Sequence, residues 1–554
     1  MLQLCKCTRP KLVLLFLALM CSLMAPVGAH AQVFRGSLME AVLLTLQNEP
    51  NIAAANRQIA LTEGQLQSAR GEFDTVLDAS AGVFQTRTPL IEALQTPARR
   101  QTDSRVASYS VGASTRLRSG LTVTPALRID HVRDNAGAVT QLASSQLALS
   151  FLLPLLRGSG VAVNTSAERA AQEILLSTDF AYRHAVATRI SNSVNAYWDY
   201  LAALRSLEIR RESENRSLLL LDDARRLAKG DEIPQSDVLQ NEAQLASDRG
   251  LRLAAEQVLV EARSALVIAM GMRNADAADL ALPLDDFPSL QPSAASKLQA
   301  MPQAPAGRFD ILSLQRRLAA AEILYDGVRT DPASRLDVTF SVGYSGLVEN
   351  RSSLAALEAL RRPASGFNAS VGMVYVLPVQ GNSQAGLVRQ RAAFAEQARI
   401  DLEALLQAAR SGIAVQRAGL SSAALQLEQQ EQQVRLQTQV FANERKKYRL
   451  GLATALDLLT VETRLTSNEL AVIEARRRLA QALVGYRFET GTLLNADGDV
   501  QQLTMKSLIT LPELRSSRTC SASPRSKACR HPSSSMPAWK SPVRARGSGC
   551  PRSC

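Results

Sequence analysis

Apolar residues recur at every seventh position over long stretches of the second half of the chain. The series runs from Leu406 to Tyr448 and, beyond Gly451, from Leu458 to Tyr486. A repeat of seven gives 3.5 residues per turn and is typical of a left-handed coiled coil. The first half shows a looser version of the pattern. The two halves of the pattern together predict helices over 166–229, 235–270, 383–450 and 455–490. These helices would pair as two hairpins, 166–270 and 383–490.

The chain consists of two similar halves. Asn51-Ile52 in the first half matches Asp310-Ile311 in the second, and further matches follow at the same offset of 259 residues. Each half reads as a helix, strands, a long helix, a break and a shorter helix. The predicted ranges are 32–275 for the first repeat, 276–307 for a linker with five prolines, and 308–495 for the second repeat.

Four segments alternate between apolar and small polar residues, as β-strands with two different faces do. They are 77–83, 147–153, 336–344 and 367–377, within strand regions at about 75–153 and 336–377. Strands of about 9–11 residues with one apolar face suit a membrane barrel, and a half-buried soluble sheet gives the same alternation. Residues 106–134 also alternate around Ser119-Gly120, and the place of this additional hairpin stays open.

Charge and composition exclude several classes of function. The formal charge of +12 comes from the two ends of the chain, because residues 32–514 hold equal numbers of basic and acidic residues. The charge therefore gives no sign of nucleic-acid binding. No cysteine lies between Cys21 and Cys520, and the body of the chain has only His131 and His184. We therefore predict no catalytic residue, no metal site, no cofactor and no enzyme activity.

The first 31 residues have the form of a secretory signal peptide. Lys11 precedes an apolar run over residues 12–20, and Ala29-His30-Ala31 forms a cleavage site of the A-x-A type. No later segment offers about 20 uncharged apolar residues, so a mature chain starting at Gln32 would enter a membrane only with strands. The C-terminal segment 496–554 differs from the rest of the chain in composition. Its basic stretch 515–554 is rich in Ser, Pro and Cys and is predicted to be disordered.

Geometry connects the strands with the helices. Four strands per chain cannot close a barrel, for which about eight are needed, and open strand edges cannot lie in lipid. Strands in a membrane would therefore be shared between several chains. The long helices, about 96 and 102 Å at 1.5 Å per residue, would then project from the barrel as a bundle. A hollow barrel continued by a hollow bundle is a conduit.

Several motifs in a fixed order resemble the TolC-like outer-membrane efflux protein family. Two are the strand-to-helix corners Leu153-Pro154-Leu155-Leu156-Arg157-Gly158 and Leu377-Pro378-Val379-Gln380-Gly381-Asn382. The others are Arg308-Phe309-Asp310-Ile311 and the breaks Gly230…Asp237 and Gly451…Asp457. The resemblance covers residues 37–494. It has two departures, namely Phe309 where the family usually has Pro, and one extra residue in the first break.

This resemblance implies a fold and a role. Such proteins are mainly α-helical homotrimers with a transmembrane β part, a twelve-stranded barrel continued by a periplasmic coiled-coil tunnel. They lie in the cell outer membrane, contact its lipid, and dock a periplasmic adaptor protein and an inner-membrane pump. The implied function is a passive exit duct of a tripartite efflux or type I secretion system.

The resemblance also assigns the two hairpin tips to the periplasmic aperture and to adaptor docking. The docking candidates are Gly230, Ile233, Pro234 and Asp237 in the first tip, and Gly451, Thr454, Ala455 and Asp457 in the second. Turn and capping roles suffice to account for the two glycines and the two aspartates. Asp231 and Glu232 are candidates for an acidic ring that favours cations, or are ordinary exposed loop charges. Pro154, Gly158, Pro378 and Gly381 mark the corners between strands and helices.

Two other classes of protein fit parts of the pattern. In a secreted or surface-attached structural protein, the heptads would form a coiled-coil oligomer and the strands a small head. A periplasmic adaptor also has a long helical hairpin, but it has one, whereas this chain has two in tandem. The alternating strands with Pro-Gly corners in both halves favour the export duct.

Overall fold

The computed structural model describes residues 34–91, 100–134, 141–272, 280–289, 307–349, 357–361, 365–494 and 504–511. The predicted signal peptide, most of the predicted linker 276–307 and the basic stretch 515–554 lie outside these residues. Within the described ranges, no helix is both long enough and apolar enough to cross a membrane.

Each half opens with helices and strands and ends in a long helical hairpin. The first half comprises α1 (Leu38–Asn48), α2 (Pro50–Gly71), β1 (Val76–Pro89), β2 (Gln101–Arg116), β3 (Thr122–Asp134), β4 (Gln141–Pro154), α3 (Val161–Asn164), α4 (Ser166–Lys229) and α5 (Gln235–Ala269). The second comprises α6 (Phe309–Thr330), β5 (Arg335–Glu349), a 3-10 turn (Glu358–Arg361), β6 (Gly366–Val376), α7 (Asn382–Arg449), α8 (Ala455–Glu489) and α9 (Met505–Ile509). The long helices α4 and α7 have 64 and 68 residues, so each extends about 100 Å.

Within the described residues, the strands form one antiparallel sheet of six, in the order β1-β2-β3-β4-β5-β6. The expectation of four strands per chain is therefore wrong. Residues 106–134 belong to the hairpin β2–β3, which turns where the Leu117 N–H donates to the Leu121 carbonyl at 2.8 Å. Alternation along a strand fixes which residues share a face, but it does not fix which strands are neighbours, and this is why the sequence left the hairpin unplaced.

The register gives the sheet two chemically different faces. One in-register row, which crosses all six strands, consists of Ala79, Val111, Leu127, Leu147, Tyr344 and Phe367. The adjacent row on the opposite face consists of Ser80, Ser110, Arg128, Gln146, Ser345 and Gly366. We call these the apolar face and the polar face of the sheet. The hairpin β2–β3 follows the same division as the other four strands.

The helices pack around the middle of α4. This helix lies against α5, α6 and α8, and α7 pairs with α8. The largest fully buried side chains of the core include Tyr197 and Trp198 of α4, which meet Leu266 of α5 and Leu38 of α1. The Tyr197 hydroxyl donates to the Gly36 carbonyl at 2.8 Å and so fixes the start of the described chain to this core. Burial of these large apolar side chains around α4 holds the two hairpins together in the region between the sheet and the tips.

Candidate functional site

The two hairpin tips have the same backbone structure. The first N–H after α4, that of Gly230, donates to the Leu227 carbonyl at 3.1 Å, and the Glu232 N–H donates to the same carbonyl at 3.0 Å. After α7, the N–H groups of Leu450 and Leu452 donate to the Lys447 carbonyl at 3.0 and 2.9 Å. These bonds satisfy the carbonyls that a helix leaves open at its end. The hairpins α4–α5 and α7–α8 therefore turn in the same way.

The left-handed residue of each tip is Asp231, with φ 53°, and Gly451, with φ 72°. Gly230 instead has φ −88°. The match of Gly230 with Gly451 is therefore wrong, because Asp231 occupies the position of Gly451. The prediction of an extra residue in the first break is also wrong, because both tips have equal length. Aspartate is among the few residues besides glycine that adopt this conformation.

The starts of the two shorter helices are capped differently. At α8 the Thr454 hydroxyl accepts from the Asp457 N–H at 3.2 Å, and the Asp457 carboxylate accepts from the Thr454 N–H at 3.2 Å. This is a capping box, and the hydrogen bonds from Thr454 lower the pKa of the exposed Asp457 carboxyl. At α5 the cap position is Pro234, which has neither N–H nor hydroxyl, so Asp237 has no such partner there.

The tip candidates differ in exposure. Gly230, Asp231, Glu232, Pro234, Gly451, Thr454 and Asp457 are exposed, and Ile233 and Asp237 are partly buried. Ala455 is only 2% exposed because it packs against Leu220 and Tyr448, so its side chain is not available to a partner of this monomer. The second tip instead exposes Leu450, Leu452 and Leu456, by 72%, 73% and 62%. These leucines were not predicted. The sequence signal for them is that each lies outside the heptad series and so has no place in the coiled-coil core.

A buried carboxylate joins the two hairpins near their tips. Asp223 of α4 is only 7% exposed. Its carboxylate accepts from Arg449 of α7 at 3.1 Å, lies 3.6 Å from Arg445, and also bonds Arg226 of its own helix. Three guanidinium groups thus compensate one buried charge, as burial of a carboxylate requires.

A second polar cluster lies between α4 and α8, farther from the tips. Glu462 is fully buried, and its Oε1 accepts from Arg216 Nε at 3.1 Å and from the Ser213 hydroxyl at 3.0 Å. Arg216 also donates to Thr466 at 2.7 Å and to Glu469 at 3.0 Å. Burial raises the pKa of Glu469, and Arg216 opposes that effect. The sequence carried a signal for this cluster, because Glu462, Thr466 and Glu469 recur at spacings of four and three along one side of a helix.

The corner after β4 is built around glycine. Gly158 has φ 77° and Gly120, in the β2–β3 turn, has φ 97°. The side-chain amide of Asn164 donates to the Gly158 carbonyl at 2.8 Å, and the Gly160 N–H donates to the Ser119 carbonyl at 3.2 Å. The hairpin turn is thereby joined to the chain that leaves the sheet for the helices.

The other corner residues have simpler surroundings. Pro154 is the last residue of β4 and lies opposite Asp337 of β5. Pro378 is exposed between β6 and α7, and Gly381 with φ 61° precedes the first residue of α7. Left-handed glycines therefore occur before the long helices in both halves.

The motif that opens the second half has a structural role in this chain. Arg308 donates to Asp310 at 2.6 Å and also bonds Glu489 of α8. Phe309 is 4% exposed and stacks on Phe180 of α4, with ring centroids 6.5 Å apart. The aromatic ring at the usual proline position thus contributes to packing between α6 and α4.

Among the described residues, no group of three or more His, Cys, Asp or Glu side chains is placed to hold a metal ion. The charged clusters of this region pair arginines with carboxylates, and the tips combine exposed leucines with exposed acids.

The sequence and the fold of this chain are similar to those of known proteins. Residues 300–492, about a third of the chain, match the family described as outer membrane efflux protein. No curated protein matches the sequence significantly. The solved outer membrane protein VceC of Vibrio cholerae is similar at 16% identity, over 82% of this chain and 96% of that one, with a TM-score of 0.60.

Two other solved structures show the same likeness. The outer membrane channel CmeC of Campylobacter jejuni matches at 16% identity and a TM-score of 0.60, over 82% of this chain and 85% of that one. The open state of the MtrE outer membrane channel of Neisseria gonorrhoeae matches at 15% identity and a TM-score of 0.58, over 82% and 88%. At these identities the likeness establishes the fold.

Proposed function

Because the family match and the fold confirm the resemblance to TolC-like outer-membrane efflux proteins, we propose that this chain forms the outer-membrane exit duct of a tripartite efflux or type I secretion system. It would conduct substrates passively, from a periplasmic adaptor and an inner-membrane pump to the exterior. The observation that carries the proposal is the two-faced sheet, which continues directly into helical hairpins about 100 Å long.

The sheet supports a placement in the outer membrane. Its apolar face carries Val111, Leu127, Leu147 and their neighbours in one continuous band, which suits the lipid side of a barrel. Its polar face carries serine, glycine and charged residues, which suits a water-filled interior. A soluble sheet of this kind would need a layer that covers the apolar face. Tyr109, Val111 and Leu147 are instead 45%, 56% and 52% exposed in the monomer.

The edges of the sheet support assembly from several chains. Among the described strands, β1 and β6 each have a single neighbour, and their apolar residues are widely exposed, as Val83 at 58% and Val371 at 73% illustrate. Lipid does not tolerate such edges, so β1 of one copy would pair with β6 of the next. In a homotrimer, three copies of the six-stranded sheet would make an eighteen-stranded barrel, wider than the twelve strands that the family resemblance implies.

The tips support docking to a periplasmic partner. Leu450, Leu452 and Leu456 expose apolar surface beside the predicted docking residues Gly451 and Thr454. Isolated exposed leucines are common, but a group of three at a tight turn provides a small apolar anchor. We expect an adaptor protein to contact this surface, with the first tip contributing Pro234 and the polar residues around it.

The acidic-ring hypothesis yields a prediction that tests the function. Asp231 and Glu232 are exposed at the first tip, and a trimer would place six such carboxylates around the opening. In planar lipid bilayers the wild-type protein should conduct with a preference for cations. The double variant Asp231→Asn/Glu232→Gln should lose most of that preference, because it removes the ring of charge. Asparagine suits this position because it also tolerates the left-handed conformation of Asp231.

The control is Glu242→Gln, on α5 beyond the tip, whose partner is Arg225 of the same hairpin. Its reversal potential in a salt gradient should equal that of the wild type. Unchanged selectivity in the double variant would refute the acidic ring. The absence of a conducting pore both in the wild type and in the variant Asp223→Asn, in which the two tips are loosened, would contradict the duct itself.

A further inference from the structure

The apolar face of the sheet ends in a row of hydrogen-bond donors on the side away from the helices. The chain enters β1 from α2 and leaves β4 toward α4 at one end of the sheet, so the last residues of β1 and β3 and the first residues of β2 and β4 lie at the other end. Near that distal end, Gln85, Arg105, Arg133 and Gln141 are successive in-register neighbours on β1, β2, β3 and β4. All four positions belong to the apolar face.

This row coincides with the upper limit of the apolar band. Two rows nearer the helices, Ala81, Tyr109 and Ile129 occupy the same strands. The row between these two rows contains Val83, Ala107 and His131. His131 is only 9% exposed and does not belong to the site proposed below. Along each strand the face thus changes from apolar side chains to Arg and Gln within a few residues. In the proposed barrel this level is the boundary between hydrocarbon and head groups of the outer leaflet.

No carboxylate of the described residues forms an ion pair with either arginine. The two arginines lie directly opposite each other on neighbouring antiparallel strands, where Cβ atoms are about 5 Å apart and like charges destabilise the pair. Both are exposed, and neither has a hydrogen-bond or ion-pair partner within the described ranges. The nearby carboxylate of Asp103 accepts from Arg87 at 3.2 Å and from Gln85 at 3.1 Å instead. An external anion would relieve the repulsion between Arg105 and Arg133.

We propose that Arg105 and Arg133, with Gln141 beside them, bind a phosphate group of an anionic lipid in the outer leaflet. The acyl chains of that lipid would lie along the apolar band below, against Tyr109 and Ile129. The site occurs within one chain, so a trimer would carry three copies. This inference rests on the proposed function, because only an outer-membrane barrel places the row at a lipid boundary.

The test is a titration of the detergent-solubilised full-length protein with lipid A, a glycolipid with two phosphates, followed by native mass spectrometry. The wild type should bind it, and Arg105→Gln/Arg133→Gln should bind it roughly thirty-fold more weakly, since each surface arginine adds about a fivefold preference for anionic lipid. The matched control is Arg128→Gln, on β3 like Arg133 but on the polar face, which should bind within twofold of the wild type. Single-channel conductance checks that each variant folds and inserts.

The outcomes separate the possible sources of binding. Equal affinity of the wild type and the double variant would overturn the proposal. So would equal affinity for lipid A with its phosphates removed, or full competition by millimolar inorganic phosphate, which would indicate a general anion site. If the wild type conducts but binds no lipid A, only this inference fails, whereas a wild type that neither conducts nor inserts refutes the proposed function.

Discussion

Replacing Arg216 by Met is expected to destabilise the protein by about 3–5 kcal/mol, because it leaves the fully buried Glu462 without its ionic partner. The same change removes the bonds to Thr466 and Glu469 and so loosens α4 from α8. The measurement is chemical unfolding of the purified protein in detergent, followed by the loss of helical circular dichroism. Adding Glu462→Gln should restore part of the loss, because it removes the buried charge that Arg216→Met leaves unpaired.

The matched control is Arg211→Met on the same helix. Arg211 pairs with Glu256, and their side chains are 57% and 37% exposed, so the change should cost less than about 1 kcal/mol. Equal losses in Arg211→Met and Arg216→Met, or no rescue by Glu462→Gln, would contradict a stabilising role for the buried cluster.

The loss of stability in Arg216→Met should also depend on pH. Burial raises the folded-state pKa of Glu469 above its unfolded value, and the variant removes the cation that opposes this rise. A carboxyl with a raised folded-state pKa favours folding when it is protonated. The stability of the variant should therefore fall as the pH rises from the unfolded pKa of about 4 through the raised pKa.

Replacing Gly120 by Ala should disrupt the junction between the sheet and the helices. Gly120 has φ 97°, and an added Cβ would lie 2.4 Å from the Gly158 carbonyl oxygen and 2.9 Å from the Asn164 side chain. The variant combines a left-handed alanine with a clash against backbone, at a combined cost of about 3 kcal/mol or more. The measurement is the yield of folded oligomer in the membrane fraction and its dissociation temperature.

Gly158→Ala provides the control for conformation alone. Gly158 has φ 77°, but no atom lies within 4 Å of an added Cβ. It should cost about 1–2 kcal/mol and lower the dissociation temperature less than Gly120→Ala. An equal effect of the two variants would mean that the contact between the β2–β3 turn and the corner contributes nothing.

The periodicity of apolar residues in the sequence predicts individual helices and strands, because each of these elements has one apolar face. The heptads from Leu406 to Tyr486 place α7 and α8, and the alternation around Val338 and Val371 places β5 and β6. The mainly α-helical fold with an antiparallel sheet, and the resemblance to the efflux protein family, are confirmed. The adaptor-docking and acidic-ring roles of the tip residues stay predictions.

Features that depend on two elements at once were not predicted. The position of β2 and β3 between β1 and β4 depends on pairing between strands, which alternation does not specify. The equivalence of Asp231 with Gly451 depends on backbone conformation, and sequence identity suggested Gly230 instead. The salt bridges of Asp223 with Arg445 and Arg449 connect residues more than two hundred positions apart, so no local pattern contains them.

The proposed duct requires that three chains share one membrane barrel, and the native mass of the protein extracted from the membrane fraction in mild detergent tests this assembly. We expect a particle of three chains that aggregates when the detergent is removed, because the apolar faces of the sheets lose their cover. A dimer or tetramer that stays in solution in plain buffer would refute the shared barrel and would indicate a soluble coiled-coil oligomer.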